Sequence, residues 1–455
     1  MERFPEVAET QPELLAQHYT KAGLSEQAIA HWQQAEQQAL QRSANSEAVQ
    51  HLTTGLALLA TLPETPARAQ QELNLQITLG PALMATRGRS APEVEQTYAR
   101  ARALCAQVGD TPQLFATLLG LWGFYESYGA LPTAQELGEQ LYRLAQHEAA
   151  PTPHLQAQTA LGSTLFYLGK YAAARTHLEQ GIAFIDSTAQ RALALRHGTA
   201  PGVRCFGMAA HTLWCLGYPA QAVRWSQEAL VLAQALAHPL SLASSQHWTA
   251  WLHQRRRDVP AVREQADALL SLAMEQRFPQ WVGYGTYWQG WILAAQGQGE
   301  AGLAQMRQGI AAVWATGQML ARPFGLVLLA EAAGHVGQVE EGLRLLAEAL
   351  EALETNVQGD MLVEAHRLQG ELLLRQATPD AAQAEACFQQ ALAIARRQQA
   401  KSWELRAATS LARLWQHQGK CAEAHELLAP IYGWFTEGFD TADLQEAKVL
   451  LEELA

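Results

Sequence analysis

The chain repeats itself at a distance of 48 residues, and that repetition limits what it can fold into more than any other feature. The stretch 159–186 reads TALGSTLFYLGKYAAARTHLEQGIAFID, and 207–234 reads GMAAHTLWCLGYPAQAVRWSQEALVLAQ. Thr164, Leu165, Leu168, Gly169, Ala172 and Ala174 meet Thr212, Leu213, Leu216, Gly217, Ala220 and Ala222. Within each half, the small or apolar positions (Leu161, Gly162, Leu165, then Ala174, Leu178, Gly181) recur every three or four residues. That spacing puts them on one face of a helix. Gly169 stands where the chain must reverse, because glycine enters the left-handed conformation at the least cost. One unit is therefore a hairpin of two amphipathic helices. Such a hairpin cannot bury its apolar face alone; neighbours bury it by stacking.

The same turn recurs at Gly23, Gly129, Gly169, Gly217, near Asp258, at Gly297, at Gly337, near Thr378 and at Gly419. From Gly129 onward the intervals cluster near 40 residues, with the single exception of 48. Between Gly23 and Gly129 the glycine marker fades, but Ala48, Leu52 and Gly55 mark one second helix, and Val94, Tyr98 and Ala101 another. Ser90 and Glu93 have the spacing of a capping box, with Pro92 in the first turn, where its missing N–H costs nothing. Ala, Leu, Gln, Glu and Arg dominate and alternating runs are absent, so strands are not expected. The expected fold is all-α: an α-solenoid of about eleven hairpins in a right-handed superhelix. Residues 1–439 form the array, and 440–455 read as a C-terminal capping helix. Its Leu444, Ala447, Val449, Leu450, Leu451 and Leu454 fall mainly along one stripe.

Composition narrows the function. Of 455 residues, 44 are Asp or Glu and 32 are Lys or Arg, and an acidic surface disfavours phosphate backbones, so no nucleic-acid partner is expected. Five scattered cysteines without a CxxC read as reduced thiols. No secretory pattern opens the chain and no apolar run reaches membrane-spanning length, so the expectation is a cytoplasmic protein with no membrane contact.

Catalytic motifs fail one by one. Lys170 and Lys420 follow single glycines, but neither has the upstream glycine or the following Ser/Thr of a phosphate-binding loop. His417, Cys421 and His425 are spaced by four, yet Gly419 breaks the helix between the first two, so ligands there would diverge. The sequence reads as non-catalytic, with no metal and no cofactor. Tryptophan is concentrated instead: eight of the thirteen fall within 214–314. Counted from the packing face, successive first helices would present His211 and Trp214, then His247, Trp251 and Arg255, then Tyr284, Tyr287 and Trp291 to the concave side. Aromatic rings with a cation nearby are what binding surfaces use, and the competing reading is that large rings fill gaps between long helices. Trp248 and Trp288 count to the packing side.

The small-residue pairs Gly162/Ala210, Ala174/Ala222 and Gly181/Ala229 resemble the tetratricopeptide repeat, with a period nearer 40 than 34 residues. The stretches QPELLAQHYTKAGLSEQAIAHWQQA at 11–35, SAPEVEQTYARARALC at 90–105, LGYPAQAVRWSQEALVLAQALAHPLSLA at 216–243 and YGWFTEGFDTADLQEAKVLLEEL at 432–454 carry a sharper likeness. They resemble the C-terminal tetratricopeptide-repeat region of bacterial multidomain proteins that join an adenylate/guanylate cyclase-like domain to an AAA-type signal-transduction ATPase. The resemblance implies that the ATPase and its winged-helix segment would stand ahead of 11–35, and that this chain corresponds to the array alone. It also implies a regulatory interaction module that holds a protein or peptide segment on its concave face. The alternative partner is a small effector bound at the Trp-rich concave face of 211–291.

Overall fold

The computed structural model describes residues 11–42, 44–109 and 113–455, and among them the regular elements are 23 α-helices without a strand. Twenty of the helices pair into ten hairpins. After α1 (Pro12–Lys21), α2 (Ser25–Gln41) pairs with α3 (Asn45–Leu59), α4 (Pro66–Arg87) with α5 (Pro92–Val108), and α6 (Gln113–Tyr128) with α7 (Leu131–Ala145). Next, α8 (Pro151–Tyr167) pairs with α9 (Tyr171–Ile182), and α10 (Ser187–His197) stands unpaired. The series continues with α11 (Pro201–Cys215) and α12 (Pro219–Leu236), α13 (Pro239–Arg255) and α14 (Val259–Glu275), then α15 (Pro279–Ala295) and α16 (Gly299–Trp314). It ends with α17 (Arg322–His335) and α18 (Val339–Thr355), α19 (Leu362–Leu374) and α20 (Ala381–Gln398), α21 (Lys401–His417) and α22 (Cys421–Tyr432), and a lone α23 (Ala442–Leu454). The architecture is an α-solenoid. Ten hairpins with a half unit at each end answer to the expected array, and the inserted α10 is the reason for the one interval of 48 residues.

Local chemistry starts and stops these helices as the sequence suggests, with one exception. Where no glycine marks the turn, Asp258 and Asp380 open the second helix by accepting from the backbone N–H of Ala261 (3.2 Å) and Gln383 (2.9 Å). Pro92 does open α5, but the residue ahead of the helix is Ala91, and the Ser90 hydroxyl is buried without a hydrogen-bond partner. The capping box therefore does not form. Ser90 belongs instead to a contact with Gly317, whose Cα leaves room for the Ser90 carbonyl: a Cβ there would lie 3.0 Å from it.

That contact is one of a series. The first helices from α4 to α21 each touch the next first helix, so they form the inner wall of the superhelix, and the second helices lie outside. The tips of the early first helices then meet loops of the following superhelical turn. Met319 and Leu320 donate their backbone N–H groups to the Ser127 carbonyl at 3.1 and 3.0 Å, and Gly359 donates to the Tyr167 carbonyl at 2.7 Å. The Ser402 hydroxyl donates to the Trp214 carbonyl, 188 residues away in sequence, and Arg257 reaches Glu446 across 189 residues. Gly169 and Gly217 allow this approach twice over. Both take left-handed φ values, 72° and 93°, and a Cβ would lie 3.3 Å from the Gly359 Cα in one case and 2.5 Å from the Trp434 ring in the other. One superhelical turn thus rests on the next, and the concave face becomes a walled channel. No helix of the described residues is long and apolar enough to cross a membrane.

A walled inner cavity as the candidate functional site

The channel contains a cavity of about 130 Å³. Its wall comes from both superhelical turns: Arg89 just after α4, Glu126 and Ser127 at the end of α6, Tyr167 at the end of α8 and Arg204 on α11. Opposite stand His247, Trp248 and Trp251 of α13, Trp281 and Tyr284 of α15, Phe324 of α17 and Asp360 ahead of α19. Glu126 is the sole charge in the apolar helix LFATLLGLWGFYESY, and Arg204 is the sole charge of α11. A lone charge on a buried helix face needs a partner. These two find each other, with Arg204 donating to Glu126. The guanidinium of Arg204 also sits 5.0 Å from the Trp122 ring centroid and 5.7 Å from that of Trp248, and its Nε donates to the Ser163 hydroxyl at 3.3 Å. It is held between two indoles.

Arg89 is placed by a helix that makes room for it. A Cβ on Gly123 of α6 would lie 2.6 Å from its Nη2, and one turn further on the Ser127 hydroxyl accepts from its Nε at 3.3 Å. Burial, reinforced by the neighbouring Arg204 and opposed by Glu126, lowers its pKa to about 10. Two guanidiniums therefore share one carboxylate. Among the described residues, three acceptors of wall residues are buried without hydrogen-bond partners, Glu126 Oε1, Asp360 Oδ2 and Gln318 Oε1, as is one donor, Trp251 Nε1. Burial also pushes the Asp360 carboxyl up to about 6, against the hydrogen bond it accepts from Gln358 at 2.8 Å.

The eight sequence-selected residues divide. His247, Trp251 and Tyr284 line the cavity together, with the His247 and Tyr284 rings 3.9 Å apart. Burial lowers the His247 pKa to about 3, so its ring is neutral, and Nδ1 accepts from the Trp288 indole at 3.1 Å. His211 lies behind this wall, its ring centroid 4.3 Å from that of Trp251 and its Nε2 bonded to the Trp248 carbonyl at 3.1 Å. Trp214 and Arg255 belong to a buried cluster between the turns: the Arg255 guanidinium is 5.2 Å from Trp214 and 5.6 Å from Trp403, and Arg406 donates to the Arg255 carbonyl. Tyr287 and Trp291 are core residues beside Trp288 and lie outside the cavity wall. Trp248, which the periodicity assigned to packing, faces the cavity. Arg89, Glu126, Arg204 and Asp360 were not selected at all. The available signal was the lone charge in an apolar helix.

Asp360 gives a pH test of this environment. Between its ordinary value of 3.8 and about 6, the folded chain holds a proton that the unfolded chain has lost, so this group makes stability fall as pH rises through that window. His247 works in the opposite sense: between 6.5 and about 3 the unfolded chain takes up a proton that the folded chain does not, so this group makes stability fall as pH falls through that window. Asp360→Asn isolates the first effect. Denaturant midpoints should show the variant more stable than the parent by about 1–3 kcal/mol at pH 8, with the gap closing near pH 4. A gap of equal size at both pH values would refute the buried, poorly compensated carboxylate.

Comparison with known proteins adds a fold and one distant relative. No family model matches the chain. An uncharacterized protein of Rhizobium meliloti (strain 1021) is 24 % identical over 365 residues, covering 79 % of this chain and 35 % of its own length. The chain thus spans about a third of the curated relative it matches. Among solved structures, a Rap protein complexed with Competence and Sporulation Factor aligns with a TM-score of 0.53 at 12 % identity, over 88 % of this chain and 99 % of that one. A signal-transduction ATPase with numerous domains and a tetratricopeptide repeat sensor, from Pyrococcus horikoshii, aligns at a TM-score of 0.37 and 13 % identity, over 92 % and 74 %. What is shared with Rap is the fold: a tetratricopeptide-like helical array.

Proposed function

We propose that this chain is a sensing and regulatory module, that a small effector enters its inner cavity, and that a larger signalling protein reads its state. The observation that carries the reading is the cavity itself: residues with buried, unsatisfied carboxylate oxygens and a half-compensated arginine pair line a space between two superhelical turns. An unpaired buried polar atom costs about 1–3 kcal/mol, so a molecule that pairs with it gains that much and draws the two turns together. The likeness of 11–35, 90–105, 216–243 and 432–454 to arrays attached to cyclase–ATPase proteins supports a regulatory setting, as does a relative much longer than this chain.

A protein partner has its own place in this reading. A groove of about 810 Å³ runs between the α2–α4 face and the α10–α13 face, with Leu40, Ile77 and Leu195 on its walls. Its volume is about six times that of the cavity, room for several side chains of a partner segment. Thermal denaturation of the purified chain against a broad panel of small metabolites tests the effector site. A shift of several degrees with one compound is expected, because a ligand at about 100 times its Kd adds about 2.7 kcal/mol. A melting temperature unmoved by every compound overturns it.

A further inference from the structure

We propose that the inner cavity takes a small hydroxylated monoanion with a flat body, of the hydroxybenzoate type, whose anionic group lies between Arg89 and Arg204. The assignment rests on the effector-site reading and adds its ligand class. Charge balance selects the anion. Arg204 is paired with Glu126, whereas Arg89 has only the neutral Ser127 hydroxyl as a hydrogen-bond partner among the described residues. Asp360 is set against Arg255 rather than this pair, so at the Arg89–Arg204 end one guanidinium has no carboxylate of its own, and a ligand carboxylate neutralises it through charge-assisted bonds. A dianion would overshoot.

The hydroxyl follows from the acceptors. Two carboxylate oxygens of wall residues, Glu126 Oε1 and Asp360 Oδ2, have no hydrogen-bond donor among the described residues. A ligand made only of anion and hydrocarbon would leave both unpaired, whereas a hydroxyl donates to one of them. The flat body follows from the walls and the volume. Trp248, Trp251 and Tyr284 offer aromatic surface, and a void near 130 Å³ is close to the roughly 150 Å³ that holds a benzene-sized ring. The cavity also adjoins the outer groove, sharing Ala85, Gly198, Leu240 and Phe278 with it.

The Arg89 cradle makes the assignment testable without removing the charge. In Gly123→Ala the new methyl group would stand 2.6 Å from Nη2, the free end of a flexible side chain, so the guanidinium shifts while the fold persists. The probes are 4-hydroxybenzoate and its neutral isostere 4-hydroxybenzamide, titrated against the full chain by tryptophan fluorescence and thermal denaturation. Saturable binding of the acid is expected, with the amide at least about tenfold weaker. That preference should vanish in Arg89→Gln and shrink in Gly123→Ala, with ligand-free melting curves reporting that both variants are folded. If the amide binds as tightly as the acid, or the preference survives in both variants, the ligand class is wrong while the effector site stands. If neither probe binds the parent chain, the class is equally wrong, and the metabolite panel alone decides the site.

Discussion

Gly120→Ala is expected to cost about 3 kcal/mol, the upper end of what overpacking usually does, although alanine is the better helix former by about 1 kcal/mol. The reason is Tyr98. Its ring, on α5, is clamped between α4 and α6 at two positions where the helices carry no side chain. A Cβ on Gly80 would lie 2.2 Å from the ring's Cζ, and a Cβ on Gly120 would lie 2.1 Å from the same atom. A ring pushed away from one helix is driven into the other, so it cannot relax by sliding. The strain also reaches the site. Tyr98, Gly120, Arg89 and Arg204 together line a smaller space of about 60 Å³ that adjoins the cavity. Gly120→Ala should therefore lower the melting temperature and weaken ligand binding together. In a double-mutant cycle, Tyr98→Ala should relieve part of the cost, because the added methyl group then fills a void that truncation has opened. A melting curve for Gly120→Ala at or above that of the parent would show that the ring is not clamped.

The repeat was legible because it is written in side chains. Leu165, Ala174, Leu178 and their counterparts 48 residues on are all buried, as one-faced helices require. The insertion of α10 was visible only as an irregular interval, since STAQRALALRH has no strong stripe of its own. The stacking of one superhelical turn on another left almost no trace. Its bonds run from backbone N–H groups of Met319, Leu320 and Gly359 to the carbonyls of Ser127 and Tyr167, and backbone groups are the same in every sequence. That blind spot accounts for the mixed outcome at the site. Counting along α13 and α15 put His247, Trp251 and Tyr284 on the inner face, where they lie. It could not show that Arg255 would meet Trp403 and Arg406, which come from the next superhelical turn and close over it. The charges that define the cavity come from four separate helices and loops, so no spacing within one segment reveals them.

Deleting residues 440–455 should do more damage than the loss of one terminal helix suggests, because α23 ties the two superhelical turns together. Three of its leucines, Leu444, Leu450 and Leu454, are buried together with Ala447, whereas Val449 is 54 % exposed, so the apolar stripe is narrower than the sequence implies. Burial of each such leucine is worth about 1.5–3 kcal/mol. The charged groups add to this. Arg406, whose side chain is 6 % exposed, donates to Asp443 at 2.8 Å and to the Arg255 carbonyl, and its other carboxylate neighbour, Glu364, is at 3.7 Å. Arg257, from the turn between α13 and α14, reaches Asp443 at 3.3 Å and Glu446 at 2.6 Å, and Arg256 reaches Asp440 at 3.4 Å. Breaking one partner out of a buried ion pair costs about 3–5 kcal/mol, since the remaining charge stays in a poor solvent. The shortened chain would expose the side of α21 and α22 around Leu411, Trp415 and Leu428 and strand Arg406. It should aggregate or melt well below the parent, and its second turn should loosen from the first, raising the radius of gyration seen by small-angle scattering. Asp443→Asn separates the two contributions: it keeps the leucines and removes a charge, so its loss should be smaller than that of the deletion and should not bring aggregation. A deleted chain that stays monomeric, compact and unchanged in its melt would mean that α23 is a tail held for another partner rather than the clasp of the superhelix.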